Sequence, residues 1–135
     1  YVEIKKELIK LGHKFVTEGD AEVLLNAFIA WGVKSFNKIN GMYAFCITDF
    51  KTGKSYLVRD RFGQKPLYYG WVNNNFVFSS ELKQVSSFVK GDQELVSQFS
   101  PGSYSVFSNN DDTWYFDYKT KYIYMFFHIF LCRTP

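Results

Sequence analysis

Residues 41–58 read Gly41-Met42-Tyr43-Ala44-Phe45-Cys46-Ile47-Thr48-Asp49-Phe50-Lys51-Thr52-Gly53-Lys54-Ser55-Tyr56-Leu57-Val58. The run Met42 to Ile47 is short, continuous and apolar, the pattern of a strand with both faces covered. It ends at Asp49, Thr52-Gly53 supplies turn chemistry, and Ser55-Tyr56-Leu57-Val58 resumes a β-prone composition. A buried hairpin is predicted here.

Moving outward, residues 67–72 and 76–79 are two further strand candidates, joined by Asn73-Asn74-Asn75, residues that tolerate the left-handed turn conformation. Ser79-Ser80-Glu81 offers a capped start for a short helix through Phe88, with Gly91 as its stop. Pro101-Gly102 marks a turn, and residues 103–107 and 113–118 are predicted as a final strand pair around the polar stretch 108–112. Upstream, Val2, Ile4, Leu8, Ile9 and Leu11 fall near helical spacing and Gly12 follows as a stop. After an extended stretch at 13–16, Thr17-Glu18-Gly19-Asp20 precedes a second helical pattern, Val23, Leu24, Ala27, Phe28 and Trp31, closed by Gly32. Helices and strands in this mixture predict an α+β fold without internal repeats.

Composition sets the class. A chain of 135 residues has room for one domain and buries roughly two-thirds of its unfolded surface on folding. Aromatic residues make up 21% of it, and such large side chains suit layered sheets with thick interiors, so a β-rich core is expected. The net charge is +3, but the sixteen Lys and Arg residues are dispersed, with no stripe to neutralise phosphates, so nucleic-acid binding is excluded. Cys46 and Cys132 are far apart, without metal-ligand spacing, which fits a reducing compartment and suggests no metal site. Residues 122–132 are almost wholly apolar, but eleven residues fall short of the roughly 20 that a membrane-spanning helix needs. The start, Tyr1-Val2-Glu3, has neither an initiator Met nor a signal segment, so a fragment of a longer, non-secreted protein is expected.

The run Leu57-Val58-Arg59-Asp60-Arg61-Phe62-Gly63-Gln64-Lys65-Pro66-Leu67-Tyr68-Tyr69 resembles the RDRxGxKPLYY signature of asparagine synthetases. Gly41-Met42-Tyr43-Ala44-Phe45 resembles that family's GMFAF strand, Ser79-Ser80-Glu81-Leu82-Lys83 its SSE-K helix start, Gly19-Asp20-Ala21-Glu22-Val23 its DTEV segment, and Pro101-Gly102-Ser103-Tyr104 its PGS-Y stretch. Order and spacing agree across residues 1–118, which would form part of a class II glutamine amidotransferase domain, while residues 119–135 stay unassigned. The resemblance implies an α+β, amino-terminal-nucleophile hydrolase-like αββα sandwich of antiparallel sheets, incomplete on its N-terminal side. It implies an asparagine synthase (glutamine-hydrolysing), a cytoplasmic ligase of asparagine biosynthesis. In it an amino-terminal cysteine attacks the glutamine side-chain amide, its own α-amino group acts as base, and the ammonia passes to a second domain that activates aspartate with ATP and Mg.

Departures from the family pattern shape the expectation for this chain. No cysteine lies near Tyr1, and the family's Arg-bearing loop and Asn-Gly-Glu segment would precede it. No SGG-DS pyrophosphate loop follows, so the chain alone is expected to be inactive and to bind no cofactor, with no catalytic residue of its own. Asp20 is the one substrate-binding position the resemblance carries over: it would pair with the α-ammonium of glutamine. From the residues alone, Asp20 reads instead as an N-cap. Arg59, Asp60, Arg61 and Lys65 make a charged patch with one glycine, too few for a phosphate cradle, and local Arg59–Asp60 pairing is expected, with Pro66 fixing the approach to the next strand. Cys46 reads as a buried small hydrophobe, and His13 and His128 as ordinary core or surface histidines. The partners implied are glutamine and a synthetase domain. Two alternatives stand beside this: a fragment of another class II amidotransferase acting on sugar phosphates or phosphoribosyl groups, and a non-catalytic module whose aromatic tail promotes self-association.

Overall fold

A strand that is apolar on both faces needs cover on both sides, and in the computed structural model it has it. The structure describes residues 1–72, 75–88, 96–108 and 128–129. Helix α1 (Val2–Lys10) and helix α2 (Asp20–Trp31) come first, followed by a 3-10 helix, Gly32–Asn37. Strands β1 (Ala44–Asp49), β2 (Lys54–Arg59), β3 (Tyr68–Val72) and β4 (Asn75–Ser79) follow, then α3 (Leu82–Phe88), β5 (Val96–Gln98), β6 (Tyr104–Ser108) and β7 (His128–Ile129). Two sheets result, one in the order β6-β2-β1-β7 and one in the order β4-β3-β5. The predicted hairpin is β1 against β2, in antiparallel register with Phe45 opposite Val58 and Cys46 opposite Leu57.

Alternation along β1 sorts its side chains into two cores. Phe45 and Ile47, with Val58 of β2, join Ile4 and Leu8 of α1, Val23, Leu24 and Ala27 of α2, and Phe36 of the 3-10 turn. Ala44, with Leu57 and Phe107, faces the second sheet instead and packs with Leu67 and Phe99, flanked by Cys46, Tyr69, Phe76 and Phe78. The layers therefore run helices, first sheet, second sheet, with α3 packed on β3 and β4 and burying Val85. Aromatic rings fill both interiors: Phe28 meets Tyr56 edge-on at 4.8 Å in the first, and Phe76 and Phe107 lie 4.2 Å apart in the second.

The helix ends follow backbone chemistry. Gly12 (φ 89) and Gly32 (φ 56) adopt conformations that L side chains avoid, and they end α1 and α2 as the sequence predicts. The 3-10 turn and β5 carry no sequence signal strong enough to foresee. All pairings between strands β1 to β6 are antiparallel as expected, but the two-residue β7 lies parallel to β1, with His128 opposite Ala44. β6 pairs with β2. Its predicted partner at 113–118, the Gly91 stop and the tail at 119–135 apart from β7 lie outside the described residues.

Leu57 sits at the middle of the sheet-on-sheet interior with no exposed surface. Leu57→Ala is expected to cost about 2–5 kcal/mol, read as a fall in the urea midpoint at unchanged slope. A loss under about 1 kcal/mol would show that the two sheets are not tightly packed there.

Candidate functional site

The chain must pass from β2 in the first sheet to β3 in the second, and residues 60–67 make that crossing. Asp60 is fully buried at its start. Its Oδ1 accepts hydrogen bonds from the amides of Phe62 (3.1 Å) and Gln64 (3.0 Å), and its Oδ2 from those of Lys65 (2.9 Å) and Tyr43 (3.3 Å). The Asp60 carbonyl accepts from Gly63 (3.0 Å) and Gly102 (2.7 Å), so one residue ties together three separate stretches of chain.

Arg59 completes the crossing from the other side. Its guanidinium donates to the carbonyls of Lys65 (2.8 Å) and Gly63 (2.9 Å), and also to that of Phe99. Burial pulls its pKa below the ordinary guanidinium value, opposed by the nearby Asp60 charge. The local Arg59–Asp60 pair expected from sequence is therefore not what forms: both side chains spend their hydrogen bonds on backbone groups. Gly63 (φ +62) is enclosed, since a Cβ there would lie 2.8 Å from Pro101 Cγ and 3.1 Å from Arg59 Cζ. The loop is in effect an anion nest, but the anion it holds is the protein's own carboxylate. Phosphate has no place in it. Asp60→Asn presents an amide where several N–H groups converge and is expected to destabilise the chain by on the order of 3 kcal/mol, measured by denaturant unfolding. A near-neutral effect would mean that the charge is not what holds the loop.

Asp20 occupies the first residue of α2, with Gly19 as the N-cap in an extended conformation (φ -75, ψ 143). It is thus a first-turn acid, not the N-cap that its residue type alone suggests, and its side chain is partly exposed. Desolvation raises its carboxyl above the ordinary value, opposed by its own amide and that of Ala21. A partly desolvated carboxylate at a helix start is suited to gaining a cationic partner from outside.

Glu22, two residues on, is the residue that sequence reasoning passed over. Its Oε1 accepts from the Val16 amide (2.9 Å), and its Oε2 from both the Thr17 amide and the Thr17 hydroxyl (2.7 Å each). The Thr17 hydroxyl oxygen in turn accepts from the Gly19 amide (3.3 Å). An acid at the third helical position is the available signal, because such a residue reaches back over the helix start. Cys46 and His13 sit in structural surroundings. Cys46 is half-buried beside the inter-sheet core, and His13 Nδ1 lies 2.8 Å from Asn26 Oδ1. His128 lies in β7, and Cys132 is outside the described residues. No group of three His, Cys, Asp or Glu residues able to hold a metal occurs among the described residues.

Comparison with known proteins decides what this arrangement belongs to. Residues 1–116 match the glutamine amidotransferase domain family. The chain belongs to that family. This amidotransferase domain is 35% identical over 102 residues to asparagine synthetase [glutamine-hydrolyzing] 1 of Bacillus subtilis, covering 73% of the chain and 16% of the relative. It is 34% identical over 105 residues to asparagine synthetase [glutamine-hydrolyzing] 2 of Oryza sativa subsp. japonica, covering 76% of the chain and 17% of the relative. The chain thus spans about a sixth of the length of these two relatives. Among solved structures, glutamine phosphoribosylpyrophosphate amidotransferase from B. subtilis superposes with a TM-score of 0.64 at 23% identity, over 80% of this chain and 24% of that one. That likeness establishes the α+β amino-terminal-nucleophile hydrolase fold. No helix among the described residues is long and apolar enough to cross a membrane.

The Glu22 clamp has a pH dependence with a definite sign. Its hydrogen bonds with the Thr17 side chain, then with the Val16 and Thr17 amides, hold its carboxyl below the ordinary glutamate value of 4.5. A depressed carboxyl contributes stability that is present above its unfolded pKa and lost as pH falls through the folded one. The Val16 and Thr17 amide resonances should therefore stay constant down to about pH 5 and move together below it in an NMR titration. Movement near neutrality would contradict the clamp.

Proposed function

We propose that this chain is part of the glutaminase domain of a cytoplasmic, glutamine-dependent asparagine synthetase, and that Asp20 pairs with the α-ammonium of glutamine. The observation that carries the proposal is the chain's identity with asparagine synthetases of two kingdoms across about three-quarters of its length. The fully engaged Asp60 loop lies inside the segment Arg59-Asp60-Arg61-Phe62-Gly63-Gln64-Lys65-Pro66-Leu67-Tyr68-Tyr69, whose resemblance to the asparagine synthetase signature is the most specific in the chain. The match to the phosphoribosylpyrophosphate enzyme is more distant, so a phosphoribosyl acceptor is the weaker choice.

In the complete domain a cysteine thiolate adds to the glutamine side-chain carbonyl, ammonia leaves, and water cleaves the thioester to release glutamate. The part of this chain is recognition. Asp20, fixed at the start of α2, offers a charge-assisted contact worth roughly 1.5–3 kcal/mol, enough to select an α-amino acid but not to hold one unaided. ATP and Mg belong to a separate synthetase domain that takes up the ammonia with activated aspartate. Within this chain, the amide-lined loop after β2 does not fit a phosphate, because Asp60 fills it.

Asp20→Asn in the glutamine-hydrolysing protein that carries this domain tests the reading. It should raise KM for glutamine about 10- to 150-fold, the range that the lost contact implies, while asparagine synthesis from free ammonia and aspartate continues at its former rate. An unchanged KM would remove Asp20 from the substrate site, and failure of aspartate to act as acceptor would remove the asparagine synthetase assignment.

A further inference from the structure

We propose that Glu22 is a positioning residue for glutamine recognition, acting through the Thr17–Gly19 turn on Asp20. The inference rests on the reading of Asp20 given above and extends it to a residue that touches no substrate. Its basis is a continuous set of hydrogen bonds. The Glu22 carboxylate grips two consecutive amides, Val16 and Thr17, and the Thr17 hydroxyl; the oxygen of that hydroxyl receives the Gly19 amide, and Gly19 is the N-cap from which Asp20 begins the helix.

Beside the Glu22 clamp, Phe15 packs against the helix-side core with Lys5 over its ring, but the residues that follow it have little cover. Val16 is 93% exposed, so no packing holds it. Lys5 of α1 reaches across to the Thr17 carbonyl (3.4 Å) and to Glu18 (3.1 Å), but the Glu18 side chain is 99% exposed and such a pair fixes little. At the far end the turn is secured to α2 by His13 against Asn26, whose Nδ2 donates to the Glu22 carbonyl (2.9 Å). Between those anchors, among the described residues, only Glu22 grips the backbone of residues 16–17 with both carboxylate oxygens. The direction in which Gly19 hands the chain to α2, and so the placement of the Asp20 carboxylate, depends on that grip. The core of α2, Val23, Leu24 and Ala27, is packed independently of it, so the clamp can be loosened without unfolding the helix.

The test is glutaminase kinetics of the complete protein with Glu22→Gln, Thr17→Val, the double variant, and Asp20→Asn as reference. Glu22→Gln keeps one acceptor oxygen and loses the charge and the second. The expected result is a rise of about tenfold in KM for glutamine with kcat and thermal midpoint nearly unchanged. Thr17→Val should act in the same direction, and the double variant should be no worse than the poorer single one, because both residues serve one linkage. A Glu22→Gln protein with a lowered midpoint but the original KM would overturn the inference, as would strictly additive effects. If Asp20→Asn raises KM and Glu22→Gln does not, the positioning role alone is lost. If neither raises it, the assignment of Asp20 fails as well.

Discussion

One buried carboxylate holds the two halves of this domain in register. The two sheets share no strand, and the chain crosses between them directly after β2. There Asp60 receives four backbone amides and, through its carbonyl, two more from Gly63 and Gly102. A charged acceptor in a dry site is strongly favoured when its lone pairs are engaged and heavily penalised when they are not. The loop therefore has one low-energy shape. Arg59 works from the opposite side, donating to the Gly63 and Lys65 carbonyls within the crossing and to that of Phe99, just past β5. Sheet packing and loop shape are consequently one problem: Leu67, the first core residue past the loop, reaches its place under Leu57 only if the turn closes as it does.

The same constraint explains the composition of β1. With helices on one side and a second sheet on the other, neither of its faces is left to water, and the run from Met42 to Ile47 has no polar position to spare. This was legible in the residues, as were both glycine-closed helices and the β3–β4 hairpin, because hydrophobic period and turn chemistry are local. The double role of the 59–65 segment was not. Adjacent Arg and Asp read as an ion pair when only side chains are considered, whereas the structure gives both to the backbone, and backbone acceptors and donors become visible only once the turn exists. The 3-10 turn at Gly32–Asn37 was likewise hidden, since it is held mainly by burial of Phe36 under α2 and β1.

For the candidate site, the residues located Asp20 at a helix start but read it as the N-cap; Gly19 takes that position and leaves Asp20 in the first turn. Glu22 was overlooked because it lies in a motif whose aspartate attracts the attention, and its partners at Val16 and Thr17 are brought near only by the reversal of the chain into α2. The turn before this helix start is held by Phe15, packed against the helix-side core, and by the Glu22 hydrogen bonds, while Val16 between them is exposed.

The Asp60 nest also bears on how this domain opens. Loop amides normally exchange their hydrogens with solvent through small local fluctuations. Those of Phe62, Gln64 and Lys65 point at a fully buried charge, and releasing any of them strands that charge. Their opening is therefore coupled to Tyr43, whose amide shares the same carboxylate at the entrance to β1, and through the Asp60 carbonyl to Gly102, just before β6. A connection that looks like a surface turn is thereby tied into the cooperative unit of the domain.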